Sequence, residues 1–292
     1  MVRRILFTAL IFICASFTSC RFGWDEIFYR KYNVNMRASC LTELDADKQP
    51  ATDSEDTYGV AVFSDIHIGS NAPKHMEDFL EWLETAKDDH KIKFCICLGD
   101  IADHGYEKEF ADYNEFCEKI SNILGEKNSV YSIVGNHDLY NSGWEHYKKM
   151  VFPNESFYHF KTKNFSWYAM DSASDTLGEI QMEALRTAFA SDENPKIILG
   201  HVPVYGDPFF KLAYFSFQDE HESSMLLSLF ANYNVKLAMA GHSHAYYEKD
   251  YPTFKEYVVS SMNYKYEWTL LEINEKEGTV KLKRIIDGKE QK

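Results

Sequence analysis

The sequence predicts an α/β protein whose main body is a single domain with a mixed sheet system. Three observations carry this. From Tyr58 onward short apolar runs alternate with amphipathic segments, each run ends on polar residues, and the carboxyl-terminal tail reads as strands. YGVAVFSD is the first run and ends as a buried parallel strand does. Met76, Phe79, Leu80 and Leu83 then recur at helical spacing. IKFCICLGD is a second strand, Glu107 to Leu124 a helix with Phe110, Tyr113, Phe116 and Ile120 on one stripe, and VYSIVGNHD a third strand. Phe157 to Asp171, with KTKN in the middle, reads as a hairpin. A helix over Glu179–Ala190 leads to KIILGH, and a helix over Ser223–Tyr233 leads to VKLAMAGHSH. EYVVSSM, WTLLEIN and TVKLKRII are expected as an antiparallel meander.

Composition agrees with a globular chain: of 292 residues 45% are apolar and 26% charged, which leaves no room for a disordered or collagen-like bulk. The net charge of −14 lies almost wholly beyond residue 57. Such a field repels a phosphate backbone at long range, so nucleic acid is not an expected partner; a bound metal can still reverse the sign locally for a small phosphorylated substrate. Cys95 and Cys97 fall two apart on one strand and share a face as small hydrophobes, and no metal-type CxxC pair exists.

Residues 1–20 have the layout of a secretory leader: Arg3 and Arg4, an apolar run from Ile5 to Ile13, then small residues before Cys20. The apolar run is too short to span a bilayer, which takes about 20 residues. The Ser-Cys ending resembles a bacterial lipoprotein signal, with Cys20 lipidated and an envelope membrane as partner. Phe17 departs from the usual aliphatic residue, so soluble periplasmic or secreted export is the alternative. Residues 21–57 are expected as a tether or a segment clasping the surface, and 58–292 as the domain proper.

Chemistry concentrates at the ends of the apolar strands. Asp65 and His67, Asp100 with Asp103, Asn136-His137-Asp138, His201, and His242 with His244 each follow one of five apolar strands, four of them beside a glycine. In open α/β sheets ligands gather at the carboxyl ends of strands, so the five segments are expected to converge on one crevice. Each segment alone is a common turn; five in order at strand ends are not. Aspartate, asparagine and imidazole without thiolate suit manganese, iron or zinc.

The ordered set DxH…GDxxD…GNHD…GH…GHSH resembles the calcineurin-like metallophosphoesterases over about Tyr58 to Tyr247. The resemblance implies a four-layer αββα sandwich of two mixed β-sheets flanked by helices, with the tail in the second sheet. It implies two divalent or trivalent metal ions. Asp65, His67 and His244 would hold one, Asn136, His201 and His242 the other, and Asp100 would bridge them. His137 would be the general acid, oriented by Asp103, and a metal-bound hydroxide would attack a phosphomonoester or phosphodiester. The motif forms look most like the bacterial, class III phosphodiesterase-like branch. The second motif, GDIADHG, lacks the iron-binding tyrosine of purple acid phosphatases, and no arginine follows Asp103 as in phosphoprotein phosphatases. Two alternatives stay open: a nuclease, nucleotidase or pyrophosphatase specificity, and a non-catalytic metal-binding or adhesive surface lipoprotein with a lapsed site.

Other positions carry weaker expectations. His104 reads as a solvent-facing turn residue, with a substrate contact as the alternative, and Asp138 as a group hydrogen-bonded within its own turn, with metal binding as the alternative. Segments 139–147 and 202–222 read as long aromatic loops that either wall the substrate or pack on themselves. Tyr246 and Tyr247 either line the cleft mouth or cap the sheet.

Overall fold

The computed structural model describes residues 30–52, 55–70, 75–205 and 216–291. The leader with Cys20, and residues 206–215 of the second aromatic segment, lie outside the described residues.

The chain forms two sheets packed face to face with helices on both outer sides. The first sheet holds seven strands in the order β1 (Thr42–Glu43), β5 (Tyr158–Lys161), β6 (Ser166–Ala169), β7 (Lys196–Leu199), β8 (Val235–Ala240), β10 (Lys255–Val258) and β9 (Tyr247–Asp250). The second holds six, in the order β13 (Lys289–Glu290), β12 (Thr279–Ile286), β11 (Glu267–Asn274), β2 (Thr57–Phe63), β3 (Ile92–Cys97) and β4 (Val130–Ser132). The helices are α1 (Arg30–Arg37), α2 (Met76–Asp89), α3 (Glu107–Leu124), α4 (Gly143–Met150), α5 (Gly178–Ser191) and α6 (Glu220–Asn232).

The period-two alternation of the strands sorts their side chains into layers. On β2 and β3, Val60, Val62, Phe94 and Ile96 face the other sheet and meet Phe160, Trp167, Leu199 and Met239. Ala61, Phe63, Cys95 and Cys97 point the opposite way, onto Phe79, Leu83, Phe110 and Phe116 of α2 and α3. Tyr168 and Ile198 of the first sheet likewise meet Leu185, Phe189, Leu226 and Phe230 of α5 and α6. The result is the four-layer αββα sandwich.

Three parts differ from the expectations. The tail is not one meander: β10 leaves the second sheet and pairs parallel with β8, while only β11 and β12 extend the second sheet antiparallel to β2. Period-two patterning is the same in parallel and antiparallel strands, so the sequence could not separate them. Segment 139–147 is not a loop throughout. A 3₁₀ turn over His137–Ser142 runs into α4, whose Trp144 and Tyr147 stack one helical turn apart. α6 starts at Glu220, three residues before the expected Ser223, because the Asp219 carboxylate accepts the His221 and Glu222 N–H groups and caps the helix.

The segment before Thr57 is packed on the domain. Val34 of α1 is buried, β1 pairs parallel with β5, and Leu44 enters the core between the sheets. No helix among the described residues is long and apolar enough to cross a membrane.

Candidate metal centre

Parallel strands of both sheets end on one crevice. Asp65 and His67 follow β2, Asp100 follows β3 and Asn136 follows β4; His201 follows β7, and His242 and His244 follow β8. The loops are laced together by main-chain bonds. Asp65 N–H donates to Gly99 O (3.0 Å), His67 N–H to Asp100 O (3.0 Å) and Gly241 N–H to His201 O (2.9 Å).

Asp65, His67, Asp100, His242 and His244 all take positive φ between 50° and 65°. That region is uncommon for residues other than glycine and costs roughly 1–3 kcal/mol at each. Strain stored at five converging positions is repaid only if their side chains must point inward together. Of the glycines beside these residues, Gly99 takes a positive φ of 98° and turns the chain, while two others act by close approach. Gly135 and Gly241 have no left-handed φ, but a Cβ on Gly135 would lie 2.1 Å from Asp100 N, and one on Gly241 1.9 Å from Ser64 Oγ. Their job is to let neighbouring loops touch.

Two donor groups share Asp100. In one, Asp65, His67, Asp100 and His244 bring ligand atoms within 4.8 Å of one another; in the other, Asp100, His201 and His242 do so. His67 Nε2 and His244 Nε2 stand 3.1 Å apart, and His244 Nε2 is 3.4 Å from Asp65 Oδ1. His201 Nε2 is 3.3 Å from Asp100 Oδ1 and 3.0 Å from Asn136 Oδ1. Its Nδ1 donates to Leu98 O at 2.7 Å, which turns Nε2 into the crevice and fixes it there. All seven positions named from the sequence therefore lie together.

The electrostatics of this cluster call for positive charge. Burial pushes the Asp100 carboxyl up, yet the charges of His201, His137 and His67 outweigh it and hold Asp100 well below the usual range. Asp65 is lowered too, burial being offset by the His244 hydrogen bond and by His201. Burial works against protonation of His201, but Asp100 and Asp65 raise it to about 10. Two buried carboxylates thus stay ionised and draw a proton onto an imidazole facing them. Cations at the two donor groups satisfy the same demand, and a carboxylate shared between them relieves their mutual repulsion. The oxygen and imidazole donors fit two such ions.

His137 lies beside the cluster. Its ring is 4.6 Å from that of His67, and its main-chain N–H donates to Asp100 Oδ1 at 2.8 Å. Asp103 orients it, though through its main-chain oxygen, which accepts from His137 Nδ1 at 2.9 Å; the carboxylate is 3.7 Å away. That carboxylate lies closer to His67 Nδ1, at 3.5 Å. His104 is not a free turn residue: Nδ1 is 3.0 Å from Glu109 Oε1, and its ring stacks on Tyr106. Asp138 reaches beyond its own turn, accepting Gly135 N–H (2.8 Å) and Ala102 N–H (2.9 Å), so it ties the second and third loops together. Tyr246 lies under the Arg284 guanidinium and Tyr247 O–H donates to Tyr205 O; both brace the sheet edge.

Sequence reasoning missed the loop after β10. Ser261 Oγ donates to Asp65 O (2.9 Å), Met262 N–H to Ser64 O (2.9 Å), and Asn263 Nδ2 to Ser70 Oγ (3.1 Å). The strand-end rule would have found it had β10 been recognised as parallel to β8. Ser172 was also missed; its Oγ accepts the N–H groups of His201 and Val202, both at 2.9 Å.

Fold and site together define a metallohydrolase-type protein, with an αββα scaffold and two carboxylate–imidazole donor groups at the strand ends. The family model for calcineurin-like phosphoesterases matches residues 58–246, and the chain belongs to that family of phosphoric ester hydrolases, which use a binuclear metal centre. Among solved structures it is similar to a purple acid phosphatase from yellow lupin (Lupinus luteus) seeds, with a TM-score of 0.65, 17% identity, and coverage of 83% of this chain and 54% of that one. It is also similar to a dimetal phosphatase from Danio rerio, with a TM-score of 0.59, 12% identity, and coverage of 79% and 96%. A third is GAP50, the anchor in the inner membrane complex of Plasmodium, with a TM-score of 0.59, 13% identity, and coverage of 81% and 87%. The chain thus spans about half the length of the lupin enzyme, and at these identities the likenesses concern the fold. No curated protein sequence matches the chain.

Proposed function

We propose that this protein hydrolyses phosphomonoesters or phosphodiesters at a two-ion centre and lies in the bacterial, class III phosphodiesterase-like branch of its family. The observation that carries the reading is Asp100, common to both donor groups. Asp65, His67 and His244 would hold one ion, Asn136, His201 and His242 the other. When bound, such ions supply charge that holds phosphoryl oxygens and lowers the pKa of a water.

The protein's own residues do the rest. His137 Nδ1 must donate to the Asp103 carbonyl, so Nε2 is the nitrogen free to carry a proton to a departing oxygen. His201, tethered through Nδ1 to Leu98, offers only Nε2. The second motif, GDIAD, contains no tyrosine and so supplies no phenolate ligand of the purple acid phosphatase kind. The motif forms DxH, NHD and GHSH support the branch. Export, and lipidation of Cys20, belong to the same proposal and rest on the leader's layout.

The test is turnover of a chromogenic phosphomonoester and a chromogenic phosphodiester, each with added manganese and again after chelation. Chelator-sensitive hydrolysis of at least one is expected. Two tightly held ions with neither substrate turned over would favour the metal-binding surface protein instead.

A further inference from the structure

We propose that Tyr264 is the recognition platform of this site and selects phosphoesters whose organic group is a planar aromatic or nucleobase ring, over aliphatic ones; this rests on the phosphoesterase reading above. Six large apolar side chains are exposed among the described residues, and a lone exposed ring needs no explanation by itself. Tyr264 differs from the other five in its neighbours and its mount.

Its ring, 62% exposed, lies 5.0 Å from the ring of His244 and 6.2 Å from that of His67. Both imidazoles belong to the donor group around Asp65. An open π-face therefore stands beside the place where a phosphoryl group would be held, on the solvent side of it. The organic substituent of a bound phosphoester must leave the ions in the direction of solvent, and an aromatic substituent there can stack on the ring.

The mount is rigid. Tyr264 sits in a turn closed by Lys265 N–H donating to Ser261 O at 3.0 Å. The three residues before it are each bonded to the Ser64–Ser70 loop: Ser261 Oγ and Asn263 N–H to Asp65 O, Met262 N–H to Ser64 O, and Asn263 Nδ2 to Ser70 Oγ. The loop that presents Asp65 and His67 therefore also fixes the position of the ring. A platform already ordered loses little entropy when a ligand stacks on it, which is what makes stacking selective. The acidic domain adds a reason for a neutral contact: stacking holds the organic group without relying on charge.

The test is calorimetric titration of the purified full-length chain, loaded with manganese, with phenylphosphonate and with methylphosphonate. Neither probe is hydrolysed, so binding is read without turnover. The wild type is expected to bind the phenyl compound five- to tenfold more tightly. Tyr264→Phe keeps that preference, since the ring remains; Tyr264→Ala reduces it to within twofold while leaving methylphosphonate affinity unchanged. Equal affinities in the wild type, or a preference that survives Tyr264→Ala, would overturn the proposal and leave the phosphoesterase reading standing. Absence of binding by both phosphonates to a chain holding two manganese ions would overturn both.

Discussion

Arg37 and Asp171 form a two-pronged ion pair, Nε to Oδ2 at 3.0 Å and Nη2 to Oδ1 at 3.2 Å, with side chains only 5% and 0% exposed. Arg37 is the last residue of α1, and Asp171 precedes Ser172, whose hydroxyl holds the N–H groups of His201 and Val202. Arg37 Nη2 also donates to Ser174 Oγ at 2.8 Å. Helix α1 thus braces the loop behind a residue of the candidate metal centre. Arg37→Ala leaves a buried carboxylate uncompensated and is expected to cost about 3 kcal/mol. Chemical denaturation measures it. An unchanged midpoint would show that α1 is only laid on the surface.

His137→Asn is expected to retain both ions and lose about 10²–10³-fold in turnover, most with poor leaving groups. Asp103→Asn should cost less than tenfold, because the main-chain oxygen, which the substitution leaves in place, makes the hydrogen bond to His137. Metal analysis beside steady-state kinetics separates the two. If Asp103→Asn were as damaging as His137→Asn, the carboxylate would be the orienting group after all.

Gly135→Ala places a methyl 2.1 Å from Asp100 N and 2.3 Å from Asp100 Oδ1. Backbone cannot yield that far without moving the shared carboxylate. The expected outcome is loss of both ions together, read by metal analysis of the dialysed protein. Loss of one ion alone would mean that Asp100 does not join the two groups.

Glu256 on β10 is buried and accepts Val204 N–H at 2.7 Å and Tyr205 N–H at 3.2 Å, just beyond His201. Burial raises its carboxyl from 4.5 to about 7, the two backbone donors opposing only in part. The folded chain therefore binds this proton more tightly than the unfolded chain between those values. Its contribution to stability falls as pH rises from about 4.5 to about 7 and is constant above, a change of roughly 3 kcal/mol at most. Glu256→Gln should flatten that part of the stability–pH curve. A wild-type curve of the same slope in the variant would remove Glu256 as its source.

Much of the fold was legible because burial leaves a local imprint. The stripe Phe110, Tyr113, Phe116 and Ile120 marks α3, which spans the expected Glu107–Leu124, and the continuous apolar run YGVAVF marks β2. The donor residues were legible for a related reason: a site at strand ends writes its side chains directly after each apolar run. What had no local imprint was the partner of each strand. Tyr264 escaped notice because the residues of β10 do not say which strand they pair with, and only its pairing with β8 brings its carboxyl end to the crevice. Ser172 escaped because a lone serine after a hairpin has no sign of the backbone N–H groups it will meet.

The main succession of strands and helices beyond Tyr58 and the donor types at the strand ends were determined by the sequence alone, since hydrophobic period and residue chemistry are local properties. Tertiary structure decided which sheet each tail strand joins, how Asp100 comes to stand between two donor groups, and what braces His201 from behind. Those are relations between segments far apart in the chain, set by packing and hydrogen bonds that no stretch of residues carries within itself.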